Sequence, residues 1–323
     1  MAIFFPLFTL LEDLGYLPRV AFNLDSFFKR ACAHGKQALT MCMGFGCNAA
    51  GVTGCRIIDS PRERLIAIIT NNFVPCNGRF PTLLAVISMF FAGGLSGPCG
   101  PLLSALILTA VIALGVIMTL LVSRLLSKTL LKGLPSSFVL ELPPFRKPQV
   151  MPVIVRSILD RTIFVLGRAA AVAAPAGLII WVLANTQLGH ASMLVHCAAF
   201  LDAPARLIGL DGFILMAFIL GFPANEIVFP IIIMSYLSAG QILELDSLEQ
   251  LRQLLLAHGW TWLTAVCMVL FSLMHWPCGT TCWTIKKETR SFKWTLAAFF
   301  IPALCGFVIC FIFAGTVRLL GLV

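Results

Sequence analysis

Four short constellations in this chain combine metal-binding side chains with backbone that is easily unwound. Gly44-Phe45-Gly46-Cys47-Asn48 places a thiol and an amide directly after two glycines. Pro75-Cys76-Asn77-Gly78 sets a second thiol behind a proline, inside the apolar stretch 65–91. Gly221-Phe222-Pro223-Ala224-Asn225-Glu226 carries the only charged side chain between residues 212 and 243. Trp276-Pro277-Cys278-Gly279 repeats the proline–thiol step at the end of an apolar run. Proline removes a helical hydrogen-bond donor, and glycine tolerates unwound turns. Each break therefore frees carbonyls beside a cysteine. Thiolate, carboxylate and carbonyl together suit a divalent transition ion. A carboxylate inside an apolar run is costly to keep there, so Glu226 is read as functional. The candidate metal-path residues are Cys47, Cys76, Cys278 and Glu226, with Asn48 and Asn225 as weaker ones. The structural alternatives stay open: helix packing through the small residues near 44–51, thiols that only fill space, and Glu226 at a membrane surface or paired with Arg168.

Other chemistry is missing from the sequence. No G-x-x-x-x-G-K-[ST] phosphate loop occurs, because residue 30, upstream of Gly35-Lys36, is Arg. Closely spaced paired clusters of Cys and His, as structural zinc needs, do not occur either. No His-Glu-x-x-His, Ser/His or paired-Asp arrangement falls in an apolar run, so the chain is not expected to be an enzyme. His275 is read as a hydrogen-bonded structural residue. No permanently bound cofactor is expected, and disulfides are not expected for most of the 12 cysteines.

The elements that must position these residues are membrane helices. Of 323 residues 59% are hydrophobic and 11% charged, and the mean hydropathy is +0.96. That excludes an ordinary soluble domain and a nucleic-acid binder. The net charge of +9 is read as cytoplasmic loops. Residues 80–123 contain no Asp, Glu, Lys or Arg, but Gly and Pro cluster at 93–101. They read as two helices, 80–91 and 102–122. Further spans are expected at 162–184, 213–237, 260–274 and 294–317. Residues 124–161 hold seven basic residues and five prolines, and read as a cytoplasmic loop. If 213–237 crossed the bilayer once, the basic loop 286–293 would lie outside. A broken or re-entrant 213–237 removes that conflict, and Pro223 and Pro230 supply the break.

The constellations echo each other. Gly-Phe-x-x-Asn occurs at 44–48 and at 221–225, and a Pro-Cys step follows each. Two copies on either side of a basic loop suggest a transporter repeat with discontinuous helices at the binding site. The expected fold is all-α and polytopic, with two repeats of broken or re-entrant helices. The expected division is 1–123, a first membrane half; 124–161, a basic loop; and 162–323, a second membrane half.

Several motifs together resemble the membrane part of the ferrous iron transporter B (FeoB) family. They are Leu11-Glu12-Asp13-Leu14-Gly15-Tyr16, Gly44–Asn48, Pro61-Arg62-Glu63-Arg64-Leu65, and Cys76-Asn77-Gly78-Arg79-Phe80-Pro81. In the second half they are Pro223-Ala224-Asn225-Glu226, Pro277-Cys278 and the run 285–294. The resemblance implies two Gate (nucleoside-recognition-like) repeats in a multi-pass protein of a prokaryotic inner membrane. It implies Fe2+ as cargo, with Cys47, Cys76, Cys278 and Glu226 on its path. The family's GTP-binding domain and earlier membrane helices have no counterpart in these residues. GTP is therefore expected to act only through a missing or separate domain. A separate GTPase and N-terminal membrane subunit, or a homo-oligomer, is the expected partner besides the lipid bilayer. The chain departs from the family at Asn225, where Lys is usual, and at Ala49, where Pro is usual. Alternative readings are a Gate-type transporter of another divalent metal or solute, and a non-transporting scaffold or remnant of a split transporter.

Overall fold

The computed structural model describes residues 10–11, 14–93, 99–133, 151, 164–188, 191–237 and 248–322. Most of the expected basic loop 124–161, residues 94–98 of the turn cluster, Glu12, Asp13 and residues 238–247 lie outside them.

The described residues are almost entirely helical. In chain order the helices are α1 (Tyr16–Arg30), α2 (Gln37–Gly46), α3 (Asn48–Gly54), α4 (Pro61–Thr70), α5 (Phe80–Ile87), α6 (Cys99–Lys128) and α7 (Phe164–Asn185). A ribbon of β1 (Gln187–Leu188) and β2 (Ala191–Ser192) follows. Then come α8 (Met193–Leu207), α9 (Gly212–Leu220), α10 (Val228–Leu237), α11 (Leu248–Ala257), α12 (Trp262–Met274), α13 (Gly279–Thr289) and α14 (Phe292–Leu319). Single helical turns at Cys55–Ile57, Asn71–Phe73 and Asn225–Ile227, and a π-helical turn at Ser88–Ala92, join them.

Among the described residues two uninterrupted helices, Cys99–Lys128 and Phe292–Leu319, are long and apolar enough to cross a membrane. So is the stretch Trp262–Thr289, which the structure interrupts between α12 and α13. Leu102, Leu106, Leu121 and Leu125 of α6 are exposed, while Thr119, Ser123 and Ser127, spaced four apart, are buried. Apolar side chains outside and hydroxyls inside are the arrangement that hydrocarbon demands. The helix runs past residue 122 to Lys128, with Arg124 and Lys128 both exposed. The segment 213–237 does not cross as one helix. It breaks after α9, turns through Asn225–Ile227 and resumes as α10. Together with α8 before it, α9 forms a pair bent by 109°.

The chain divides into two compact units, each drawing on both sequence halves. Unit 1 is Met1–Asn77, Leu114–Ala171 and Thr280–Ile301; unit 2 is Gly78–Ala113, Val172–Gly279 and Pro302–Val323. In unit 1, Phe28, Ala33, Ala38, Met41 and Val74 form a buried cluster, with Val116 and Leu120 of α6 against it. Ser60 and Pro61 start α4: the Ser60 hydroxyl accepts from Glu63 N at 3.5 Å, and Pro61 has no amide to leave unpaired. In unit 2, Phe218 packs edge-on against Phe271 with centroids 4.9 Å apart, and Phe271 against Phe307 at 5.2 Å. Asp211 caps α9, accepting from Ile214 N at 2.7 Å, and also accepts from the Tyr236 hydroxyl.

Candidate functional site

In unit 1 the two proline- and glycine-rich constellations meet. Cys47 is the single extended residue between α2 and α3, with φ −158° and ψ 124°, and is buried. Its break leaves carbonyls of α2 without helical partners. Asn48 takes over that role. In the orientation that satisfies its surroundings, its amide nitrogen donates to the carbonyls of Gly44 and Val74, both at 3.2 Å. Asn71 donates to the main-chain oxygen of Asn48 at 3.1 Å, and the Asn72 amide lies 3.3 Å from that of Asn48. All three asparagines are buried. Val74 lies two residues before Cys76, itself buried in the irregular turn that Pro75 enforces. The amides thus tie the break at Cys47 to the break at Cys76. Gly51 permits this approach: a Cβ there would stand 2.6 Å from Asn71 Oδ1 and 2.9 Å from Thr40 O.

A row of buried polar groups continues from these amides within unit 1. Gln37 donates to Thr70 Oγ1 at 2.9 Å and to Ser123 of α6 at 3.5 Å. Ser127, one turn further along α6, accepts from Arg62, whose Nε also donates to Leu131 O at 2.7 Å. The basic end of unit 1 is held by carboxylates. Arg56 makes a two-pronged pair with Glu288, with both contacts at 2.7 Å. Lys36 contacts Asp59 at 2.7 Å, and its ammonium holds the Asp59 carboxyl below the usual carboxylate value.

Unit 2 repeats the design. Gly279 N donates to Phe222 O at 2.7 Å, joining the break after α12 to the break after α9. His275 Nδ1 lies 2.9 Å from Ser272 O, and Nε2 lies 3.3 Å from the Asn225 amide. Both contacts end on oxygens, Ser272 O and Asn225 Oδ1, so the neutral ring donates to one of them from whichever nitrogen carries the proton. Arg79 fills the break itself. Its guanidinium donates to the carbonyls of Leu273 at 2.7 Å and of His275 and Trp276 at 3.4 Å. These oxygens lose helical donors because the chain departs from helix at His275 and residue 277 is Pro. Glu226 is exposed in its single helical turn, and its carboxylate occupies the space over Gly78 where a Cβ would stand. Cys278 is half-buried in the break preceding α13.

The structure thus joins Cys47 and Asn48 to the Cys76 turn, and Asn225 to the break that carries Cys278. Among the described residues no three His, Cys, Asp or Glu side chains cluster closely enough to hold a metal ion together. Sequence reasoning passed over Asn71, Asn72 and Arg79. The signal was available: two adjacent amides and a lone arginine, in and beside apolar runs flanking Pro75.

Helices interrupted beside thiols and a carboxylate, with hydroxyl rows inside and leucines outside, define an all-α multi-pass membrane protein. The family described as "Nucleoside recognition" (Gate) matches residues 1–90 and 166–292, and "Ferrous iron transport protein B C terminus" matches residues 108–160. The chain belongs to the FeoB family, as a Gate-containing membrane portion. It is 28% identical over 321 residues to the Fe(2+) transporter FeoB of Staphylococcus aureus, covering 97% of this chain and 45% of that protein. It is 27% identical over 326 residues to the Fe(2+) transporter FeoB of Methanocaldococcus jannaschii, covering 97% and 46%. A third relative, a fusion of Fe(2+) transport protein A with FeoB from Porphyromonas gingivalis, is 24% identical over 354 residues, covering 94% and 40%. The chain therefore spans less than half the length of these relatives. No solved structure gives a significant match.

Proposed function

We propose that the chain is the membrane permease portion of a ferrous iron uptake system in the inner membrane of a prokaryotic cell. The observation that carries this reading is the repeated coupling of breaks. In each unit an asparagine following Gly-Phe ties a broken helix to a Pro-Cys turn. Such paired discontinuities are where transporters of inverted or repeated design hold their cargo. The names of the relatives supply the cargo, Fe2+. Cys47, Cys76, Cys278 and Glu226 are the proposed path residues. Asn48 and Asn225 hold the breaks open, and the buried row through Gln37, Thr70 and Ser123 offers oxygen contacts in unit 1. Fe(II) is intermediate in softness, so thiolate and oxygen ligands suit it, and an incomplete set lets it leave.

The two membrane halves, 1–123 and 162–323, are our proposal for the repeat. The chain itself is not an enzyme on this reading. Nucleotide energy enters through a separate GTPase domain or subunit, and the transport protein A fused in one relative suggests a further partner. Charge supports the orientation. Unit 1 contains 19 of the 23 Lys and Arg residues, including all eight lysines, against 8 acidic residues. That excess belongs on the cytoplasmic side.

The test is Fe(II) uptake in a system reconstituted with the partner domains. Cys47→Ser and Glu226→Gln should each lower uptake about ten-fold or more at unchanged protein level, since even losses around metal ligands cost 10–100-fold. Full uptake in both variants removes these residues from the path. Inhibition by Mn(II) or Zn(II) at concentrations below that of Fe(II) assigns the cargo to another divalent metal.

A further inference from the structure

We propose that the corner between α13 and α14 binds the phosphate headgroup of an anionic phospholipid. α13 has two unlike sides. Thr280, Thr281, Thr284 and Ile285 are buried. Trp283, Lys286 and Lys287 are exposed, and Arg290, also exposed, follows them past the helix end. Two residues on, α14 opens with Phe292 and Lys293, both exposed. Phe292, Leu296 and Phe300 then form an outward row at helical spacing, along a helix long and apolar enough to cross a membrane. Cations and aromatic rings therefore meet where the apolar row begins, the arrangement that marks the boundary between headgroups and acyl chains.

Charge decides the headgroup. Glu288 is the only acidic residue from 250 to 323, and Arg56 already holds both its oxygens at 2.7 Å. Among the described residues none of Lys286, Lys287, Arg290 and Lys293 forms an ion pair. Lys293 Nζ stands 5.9 Å from the centre of the Trp294 ring, a contact that leaves its charge uncompensated. A zwitterionic headgroup brings its own cation to such a surface; a phosphatidylglycerol headgroup brings only the anion. The backbone singles out Arg290. Its φ is 48°, in the left-handed region that glycine occupies freely and other residues do not. A side chain kept at a strained position points to a role for that side chain. Trp283 is 66% and Phe292 64% exposed, and these rings favour a lipid over a soluble acidic partner because acyl chains cover them while the phosphate meets the cations. The contact holds whatever ion the protein moves.

The experiment uses the full chain in nanodiscs of mixed phosphatidylglycerol and phosphatidylcholine. Native mass spectrometry measures which lipid is retained by the parent and by Arg290→Gly, Lys286→Gln and Lys287→Gln. Each substitution should weaken the preference for phosphatidylglycerol about five-fold, the effect of one basic residue near a charged surface. Arg290→Gly should do so while the midpoint of thermal unfolding holds or rises, because glycine relieves the left-handed backbone; lost lipid is then not lost fold. A fluorescent amino acid in place of Trp283 should be quenched by lipid brominated on the acyl chain and not by aqueous iodide. A preference unchanged in all three variants, or quenching by iodide alone, overturns the proposal. Retention of inorganic phosphate in place of the lipid overturns it as well.

Discussion

Arg79→Met tests whether the guanidinium holds the break after α12. Arg79 is 1% exposed and donates to three main-chain carbonyls, at 2.7, 3.4 and 3.4 Å. A hydrogen bond from a charged donor contributes about 1.5–3 kcal/mol, and the two long contacts count for well under half of that each. Two effects oppose each other on substitution. Removing a buried charge relieves its desolvation, which favours an apolar replacement. The carbonyls, however, belong to the backbone and cannot be removed with it, so each buried oxygen left without a donor costs about 1–3 kcal/mol. The orphaned carbonyls should prevail, with a net loss of about 2–4 kcal/mol. At about 2 °C per kcal/mol for a chain of this size, the midpoint of thermal unfolding falls by about 4–8 °C. The assay is thermal unfolding of purified protein in detergent, followed by size-exclusion recovery after heating. Arg79→Lys should fall between parent and Met variant, because one ammonium can serve one carbonyl but not the planar set. A Met variant within about 1 °C of the parent, or a Lys variant worse than Met, refutes the bridging role.

Gly51→Ala should destabilise by about 1–3 kcal/mol, because the new methyl meets Asn71 Oδ1 at 2.6 Å and Thr40 O at 2.9 Å. Gly315→Ala is its control: no atom lies within 4 Å of the added methyl in α14, so helix propensity should give no loss or a gain of about 0.5–1 kcal/mol. The same melting assay ranks them, and equal midpoints would remove the close approach at Gly51 as a constraint. For orientation, α14 starts beside Lys286, Lys287, Arg290 and Lys293, so its Leu319 end should emerge on the far side of the membrane. An epitope after Val323 should be reached by antibody on spheroplasts, while Ser136→Cys should resist an impermeant thiol reagent; the reverse pattern inverts the protein.

The sequence by itself determined the solvent, the element type and some of the points of interruption, although Pro230, expected to help break 213–237, lies inside α10. A charged fraction of 11% together with runs free of Asp, Glu, Lys and Arg leaves a bilayer as the medium, and in a bilayer the backbone must be satisfied within helices. Pro75, Pro223 and Pro277 announce breaks because proline carries no amide hydrogen, and the structure interrupts its helices at each of them. The long helix at 294–317 is likewise legible from its apolar run, and its observed ends, Phe292 and Leu319, differ by two residues each. Tertiary structure decided what satisfies the breaks. That Asn48 serves carbonyls at positions 44 and 74, and that Arg79 serves those at 273, 275 and 276, depends on which breaks are neighbours in space. Proline shows that a partner is needed but carries nothing about who supplies it. The same holds for His275, an isolated imidazole in sequence that becomes the link to Asn225 once the breaks after α9 and α12 are joined. Local sequence encodes the loss of a hydrogen bond; only long-range packing encodes its replacement.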